Sequence, residues 1–161
     1  MSRIDNEVRI TPSVLDRLLD DRPEETREAV ASRQTSLRLL KDAVRRDLEW
    51  LLNTRLEADE RVEELPEVSR SLAMFGLPDF TSAEVFSTEG GERLRKRVET
   101  AVRVFEPRLE HVRVALGSMS RRDRAVRFQI EAQLRVEPSP EPVVFDTMLQ
   151  LGSGEARVQE K

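Results

Sequence analysis

Val126-Arg127-Phe128-Gln129-Ile130-Glu131-Ala132-Gln133-Leu134-Arg135-Val136 alternates apolar and polar residues without a break. A period of two sends successive side chains to opposite faces, so the stretch predicts a strand buried on one side and wet on the other. Upstream, Val112, Val114 and Leu116 alternate with His111, Arg113 and Ala115; downstream, Val143, Phe145, Thr147, Leu149 and Leu151 repeat the pattern. The connections, Gly117 to Arg124 and Glu137-Pro138-Ser139-Pro140-Glu141-Pro142, are short, which favours an antiparallel meander. The third strand, Val143 to Leu151, ends near a Gly-Ser-Gly run and reads as the sheet's edge.

Before residue 106 the period is helical. From Glu24 to Leu52, Leu37, Leu40, Val44, Leu48, Leu51 and Leu52 recur at intervals of three or four. Between Glu89 and Phe105 the residues Leu94, Val98, Ala101, Val102 and Phe105 share one face, and Pro107 ends the helix. A short helix through Val68, Leu72 and Ala73 is expected to start at Pro66 and stop at Gly76, which can take positive φ. Val14, Leu15, Leu18 and Leu19 form an apolar stripe too short to be a stable helix alone, so it has to dock on something. The expected fold is α+β: helices packed on one face of a small, mainly antiparallel sheet of three to four strands, most of them in the C-terminal half. The expected organisation is a flexible arm at 1–10, one domain at 11–151 and a flexible tail at 152–161.

Composition narrows the function. The 161 residues suffice for one core, and the chain has no cysteine and a single histidine, His111. Thiol chemistry is excluded, and any triad or multi-histidine metal site would have to be built around His111. His111 lies opposite Val112 and Val114 beside arginines and reads as a surface residue. No apolar run approaches the length of a bilayer span, and the N-terminus lacks a signal-peptide pattern, so a cytoplasmic protein is expected. The charge is uneven, +6 over residues 92–136 against −7 before and −3 after. The basic residues are interleaved with acids and no recognition motif accompanies them, so nucleic acid is not the expected partner. Acids cluster at Glu57, Asp59, Glu60, Glu63 and Glu64, in what reads as a solvated linker, and Asp79 follows Pro78 as a turn cap. A muramidase-like peptidoglycan hydrolase, which needs two facing carboxylates, is the alternative reading that these acids raise.

Glu106-Pro107-Arg108 carries the sharper expectation. Proline fixes φ, so opposite charges on either side of it sit on a stiff corner, where an arginine fork can bind bidentately at little entropic cost.

Several segments together resemble the TssE family of type VI secretion baseplate subunits, relatives of the small baseplate wedge protein of contractile phage tails. They are Ser13-Val14-Leu15-Asp16-Arg17-Leu18, Val44 to Thr54, Glu67 to Leu72 running into Phe75-Gly76-Leu77-Pro78-Asp79, and Phe105-Glu106-Pro107-Arg108-Leu109. The resemblance covers about residues 11 to 151. It implies a structural, non-catalytic subunit with no cofactor or metal. Its partners would be wedge proteins of the TssF/TssG type, docked through Glu106, Pro107 and Arg108, and contractile sheath subunits. It also implies a place in a baseplate at the inner face of the cytoplasmic membrane, without insertion into it. An open sheet edge could receive the sheath by backbone pairing. If the third strand is that edge, a proline at Phe145 or Thr147 is expected to block sheath nucleation.

Overall fold

A computed structural model describes residues 10–19, 32–56, 66–80, 85–151 and 153–161. A short helix α1 (Val14–Leu18) is capped by Ser13, whose hydroxyl accepts the Asp16 N–H while Asp16 reaches back to the Ser13 N–H. Such a capping box satisfies donors that a helix start leaves open. Helix α2 (Arg33–Asn53) starts at the Ser32 cap, and α3 (Thr88–Phe105) starts at the Ser87 cap. The helical pattern read upstream of Ser32, and the arm at 1–9, lie outside the described residues.

The sheet carries four strands in the order β3 (Leu109–Ser120), β4 (Ala125–Leu134), β5 (Glu141–Gln150) and β6 (Glu155–Glu160), all antiparallel neighbours. Two expectations are corrected here. The tail expected to be flexible at 152–161 is ordered over its described residues 153–161, because Glu155–Glu160 pairs with β5 and turns Ala156 and Val158 into the core. The strand read as the edge, β5, is therefore interior, and the sheet's margins are β3 and β6. At the β5–β6 turn Gly154 takes φ 73°, and its N–H donates to the Gln150 carbonyl.

The segment after Pro66 is two 3₁₀ turns, Val68–Arg70 and Leu72–Met74, broken at Ser71, whose hydroxyl accepts the Ala73 N–H. A small parallel pair, β1 (Arg55–Leu56) with β2 (Leu77–Pro78), ties this region to the end of α2. Gly76, at φ 121°, is required there: a Cβ would lie 2.4 Å from the Thr54 carbonyl oxygen.

Helix α3 packs over β3 and α2 over β6, so both cover one face of the sheet. Val44, Leu48 and Leu51 of α2, Leu94, Val98 and Val102 of α3, and Phe128, Ile130 and Phe145 of the sheet are buried together. Complete burial of each aromatic ring contributes about 2–3 kcal/mol. At one end Lys41 of α2 bridges Glu141 of β5 at 3.6 Å and Glu160 of β6 at 3.1 Å. Among the described residues, no helix is long and apolar enough to cross a membrane.

Candidate docking site at the Glu106-Pro107-Arg108 corner

The chain turns from α3 into β3 within three residues. The Glu106 N–H still donates to the Val102 carbonyl, Pro107 prevents a further turn, and the Leu109 N–H donates to the Glu106 carbonyl at 3.1 Å. Both flanks are pinned. The Arg108 carbonyl accepts the Arg135 N–H at 2.8 Å, and Phe105 packs edge-on against Phe75 with ring centroids 5.3 Å apart. The corner is stiff because of its neighbours as well as its proline.

The two charges are brought together, but not side by side on the surface. Glu106 turns inward and is only 3% exposed. Its Oε1 accepts from Arg108 Nε at 2.6 Å and its Oε2 from Nη2 at 2.5 Å, the bidentate fork that suits arginine. Arg108 Nη2 also donates to Asp47 Oδ2 of α2. Asp47 Oδ1 accepts from Arg46 at 2.8 Å, and Arg46 donates to Asp16 of α1 at 2.7 Å. Glu106, Arg108, Asp47, Arg46 and Asp16 thus form one chain of alternating charge joining α1, α2 and the corner. Burial alone would lower the Arg108 pKa. The fork and charge of Glu106, then Asp47, outweigh it and hold the guanidinium well above arginine's ordinary value. The corner offers outward the Pro107 ring and part of the Arg108 side chain.

Asp47, Arg46 and Asp16 are members of this site that the sequence reading does not anticipate. Asp47 is 61 residues from Arg108 and Asp16 is 30 from Arg46, separations over which a sequence carries no pairing signal. The same elements carry apolar side chains open to solvent: Val14 and Leu18 on α1, Trp50 one turn beyond Arg46 on α2, and Val104 near the end of α3.

None of α1's residues is buried, and among the described residues Asp16–Arg46 is its one ion pair with the rest of the chain. Burial alone would raise the Asp16 pKa, but hydrogen bonds from Ser13 and Arg46 outweigh it and leave the carboxyl below its ordinary value. A carboxyl depressed in the folded state contributes stability that is present above about pH 4 and lost as pH falls through the folded value. The contribution of this half-exposed pair is about 1 kcal/mol or less. Acidification is therefore expected to release α1 before the core melts, seen as amide shifts over Val14–Leu18. Asp16→Asn is expected to show those shifts at neutral pH; unchanged shifts would mean that the ion pair does not hold the helix.

The remaining sequence expectations resolve separately. His111 is exposed and takes φ 53° at a bulge in β3, where Leu109 and Val112 both point inward. Asp79 is exposed and faces Arg55 at 3.8 Å. Glu57, Asp59, Glu60, Glu63 and Glu64 lie outside the described residues. A cleft of about 260 Å³ sits between the end of α2, β2 and the β5–β6 turn, and Asp79 is the one carboxylate among its described lining residues. Among the described residues it offers no facing acid pair of the kind that glycoside hydrolysis uses.

A family described as baseplate wedge protein gp25 matches residues 38–139, a span that holds Asp47 and the whole Glu106-Pro107-Arg108 corner. No curated protein and no solved structure gives a significant match. The family covers more than half of the chain, including most of α2, all of α3, β3 and β4, and the pinned corner between them. The chain therefore belongs to the baseplate wedge protein gp25 family, whose members are structural components of baseplates.

Proposed function

We propose that this protein is the TssE-type baseplate subunit of a type VI secretion system. It docks on a wedge core of TssF/TssG type through the Glu106-Pro107-Arg108 corner and starts contractile sheath assembly on its sheet. Its role is non-catalytic, and its place is the cytoplasmic side of the inner membrane. The observation that carries this reading is the family match spanning a corner whose arginine is clamped by Glu106 and Asp47. A cation held in one geometry loses little entropy when a partner's acidic group or carbonyl meets it. Exposed apolar side chains on the elements that carry the charges, among them Trp50 one turn from Arg46 on α2, support the same assignment, since exposed apolar side chains beside charged ones suit a protein interface.

The burial of Glu106 decides how this is tested. Arg108→Ala would strand a carboxylate that is 3% exposed and so confound docking with folding. The paired change Glu106→Gln with Arg108→Met removes both charges at nearly constant shape. It is expected to keep cooperative unfolding and to lose co-purification of the wedge proteins from a native lysate. A folded double variant that captures them normally would exclude the corner as the docking site.

A further inference from the structure

The charge chain that joins α1 to the corner ends on a contact that α1 barely holds. Asp16 and Asp47 meet on one nitrogen of Arg46: Nη2 donates to Asp16 Oδ1 at 2.7 Å and to Asp47 Oδ1 at 2.8 Å. Arg46 Nε donates to the same Asp47 oxygen at 3.0 Å, while the other oxygen of Asp47 serves Arg108. Asp47 is fixed by its place in α2. Asp16 comes from a helix of five residues, none of them buried, which is too short to persist on its own hydrogen bonds. The Arg46 side chain is 36% exposed, so the carboxylate position that Asp16 fills on it lies within reach of another protein.

Three observations set Asp16 apart from the other members. The chain counts three carboxylates, Asp16, Asp47 and Glu106, against two guanidiniums, Arg46 and Arg108, a net charge of −1. An acidic group approaching Arg108 therefore meets a surplus of negative charge that disappears when Asp16 leaves. Asp16 also has bonds of its own to fall back on, because its Oδ2 accepts the Ser13 N–H and hydroxyl, which owe nothing to α2. Arg46, Asp47, Glu106 and Arg108 all lie within the family-matched residues 38–139, and Asp16 lies outside them.

We infer that Arg46 is a second anion-binding point of the docking face, filled in the free chain by Asp16, and that docking exchanges Asp16 for a partner's carboxylate and turns α1 out. The inference rests on the reading that the corner docks on a wedge core, an acidic side chain of which is the incoming group. One carboxylate replaces another on the same guanidinium, and an ion pair of this exposure is weak, so the exchange is nearly balanced. Helix α1 then acts as a latch, lowering the apparent affinity in proportion to the fraction of chains in which it is closed. Arg46 and Arg108 sit on opposite oxygens of Asp47, so with the latch open the face presents two cations at a fixed spacing. A partner is selected by the separation of its acids as well as by their charge.

Two substitutions that both free α1 but act oppositely on docking test this. Asp16→Asn opens the latch and leaves Arg46 in place, and the affinity for purified wedge core is expected to rise by roughly two- to fivefold. Arg46→Gln frees α1 equally but removes the cation, and the affinity is expected to fall by roughly five- to tenfold. Loss of structure alone would move both variants in the same direction. Cooperative melts confirm that the core of each is intact. In the wild-type chain saturated with wedge core, the Val14–Leu18 amides are expected to shift to the positions they hold in free Asp16→Asn. Unchanged or weaker docking of Asp16→Asn, or slowed amide exchange over Val14–Leu18 in the complex, overturns the latch. Undiminished docking of Arg46→Gln overturns Arg46 as a binding point. With wild-type binding intact these failures touch the latch alone; a wild-type chain that does not bind the wedge core removes the docking reading and the latch with it.

Discussion

Phe145→Pro is expected to leave no cooperatively folded protein. Phe145 is fully buried, and β5 pairs with β4 on one side and β6 on the other. Because Lys161 donates to the Val144 carbonyl, alternation turns the Phe145 N–H toward Ile130 in β4, which is also fully buried. The substitution removes an aromatic ring from the core, a loss of about 3–5 kcal/mol, and leaves a ladder carbonyl of β4 without its donor, about 1–3 kcal/mol more. A domain's whole stability is about 5–15 kcal/mol, so little or none is left. Thr147→Pro acts on the same interior strand and is expected to behave alike. Val158→Pro is the contrast: its N–H faces out of the sheet, and an edge tolerates proline where a centre does not. Thermal unfolding by circular dichroism separates the two. A Phe145→Pro chain with a normal cooperative melt would mean that β5 is not an interior strand. Sheath nucleation is accordingly probed at Val158 rather than at Phe145 or Thr147.

The sequence misplaces the edge for a physical reason. The long alternation of Val126 to Val136 is legible because many consecutive residues obey it, and so is the face of α3 carrying Leu94, Val98 and Val102. Strand β6 turns only Ala156 and Val158 inward after a Gly-Ser-Gly run, too brief a pattern to distinguish from a solvated tail. The strand forms because β5 presents it with a ladder, and Asn53 and Lys41 hold its two ends, none of which is local. His111 illustrates a second limit. A strict period of two from His111 onward conceals that Leu109, three residues before Val112, is also inward, and the extra residue is absorbed as a bulge at positive φ. The Glu106-Pro107-Arg108 corner is legible as a stiff element because Pro107 is a local signal. The inward turn of Glu106 is not, because Arg108, the partner that forks it, is shared with Asp47 from the distant α2.

That inward turn gives the second large expectation. Glu106→Ala is expected to cost about 3 kcal/mol, at the low end for breaking a buried pair because Arg108 retains some access to water. For a domain of this size the melting temperature should fall by about 6–12 °C. The mechanism is loss of the fork that neutralises Arg108. Asp47 cannot replace it, since its second oxygen already serves Arg46. Arg108→Ala strands Glu106 in the same way, so the two single losses should not add. A double-mutant cycle should return a coupling of about 2 kcal/mol. It should survive high salt, because screening acts weakly on a carboxylate that is 4% exposed. Glu106→Ala should also weaken wedge capture, although its carboxylate does not reach the surface, because Arg108 then loses its aim. Glu106→Gln, which can still accept one of the two bonds, should recover part of both effects. Strictly additive single losses, or a coupling abolished by salt, would show that the fork is a solvated surface contact and that Arg108 is aimed by the backbone alone.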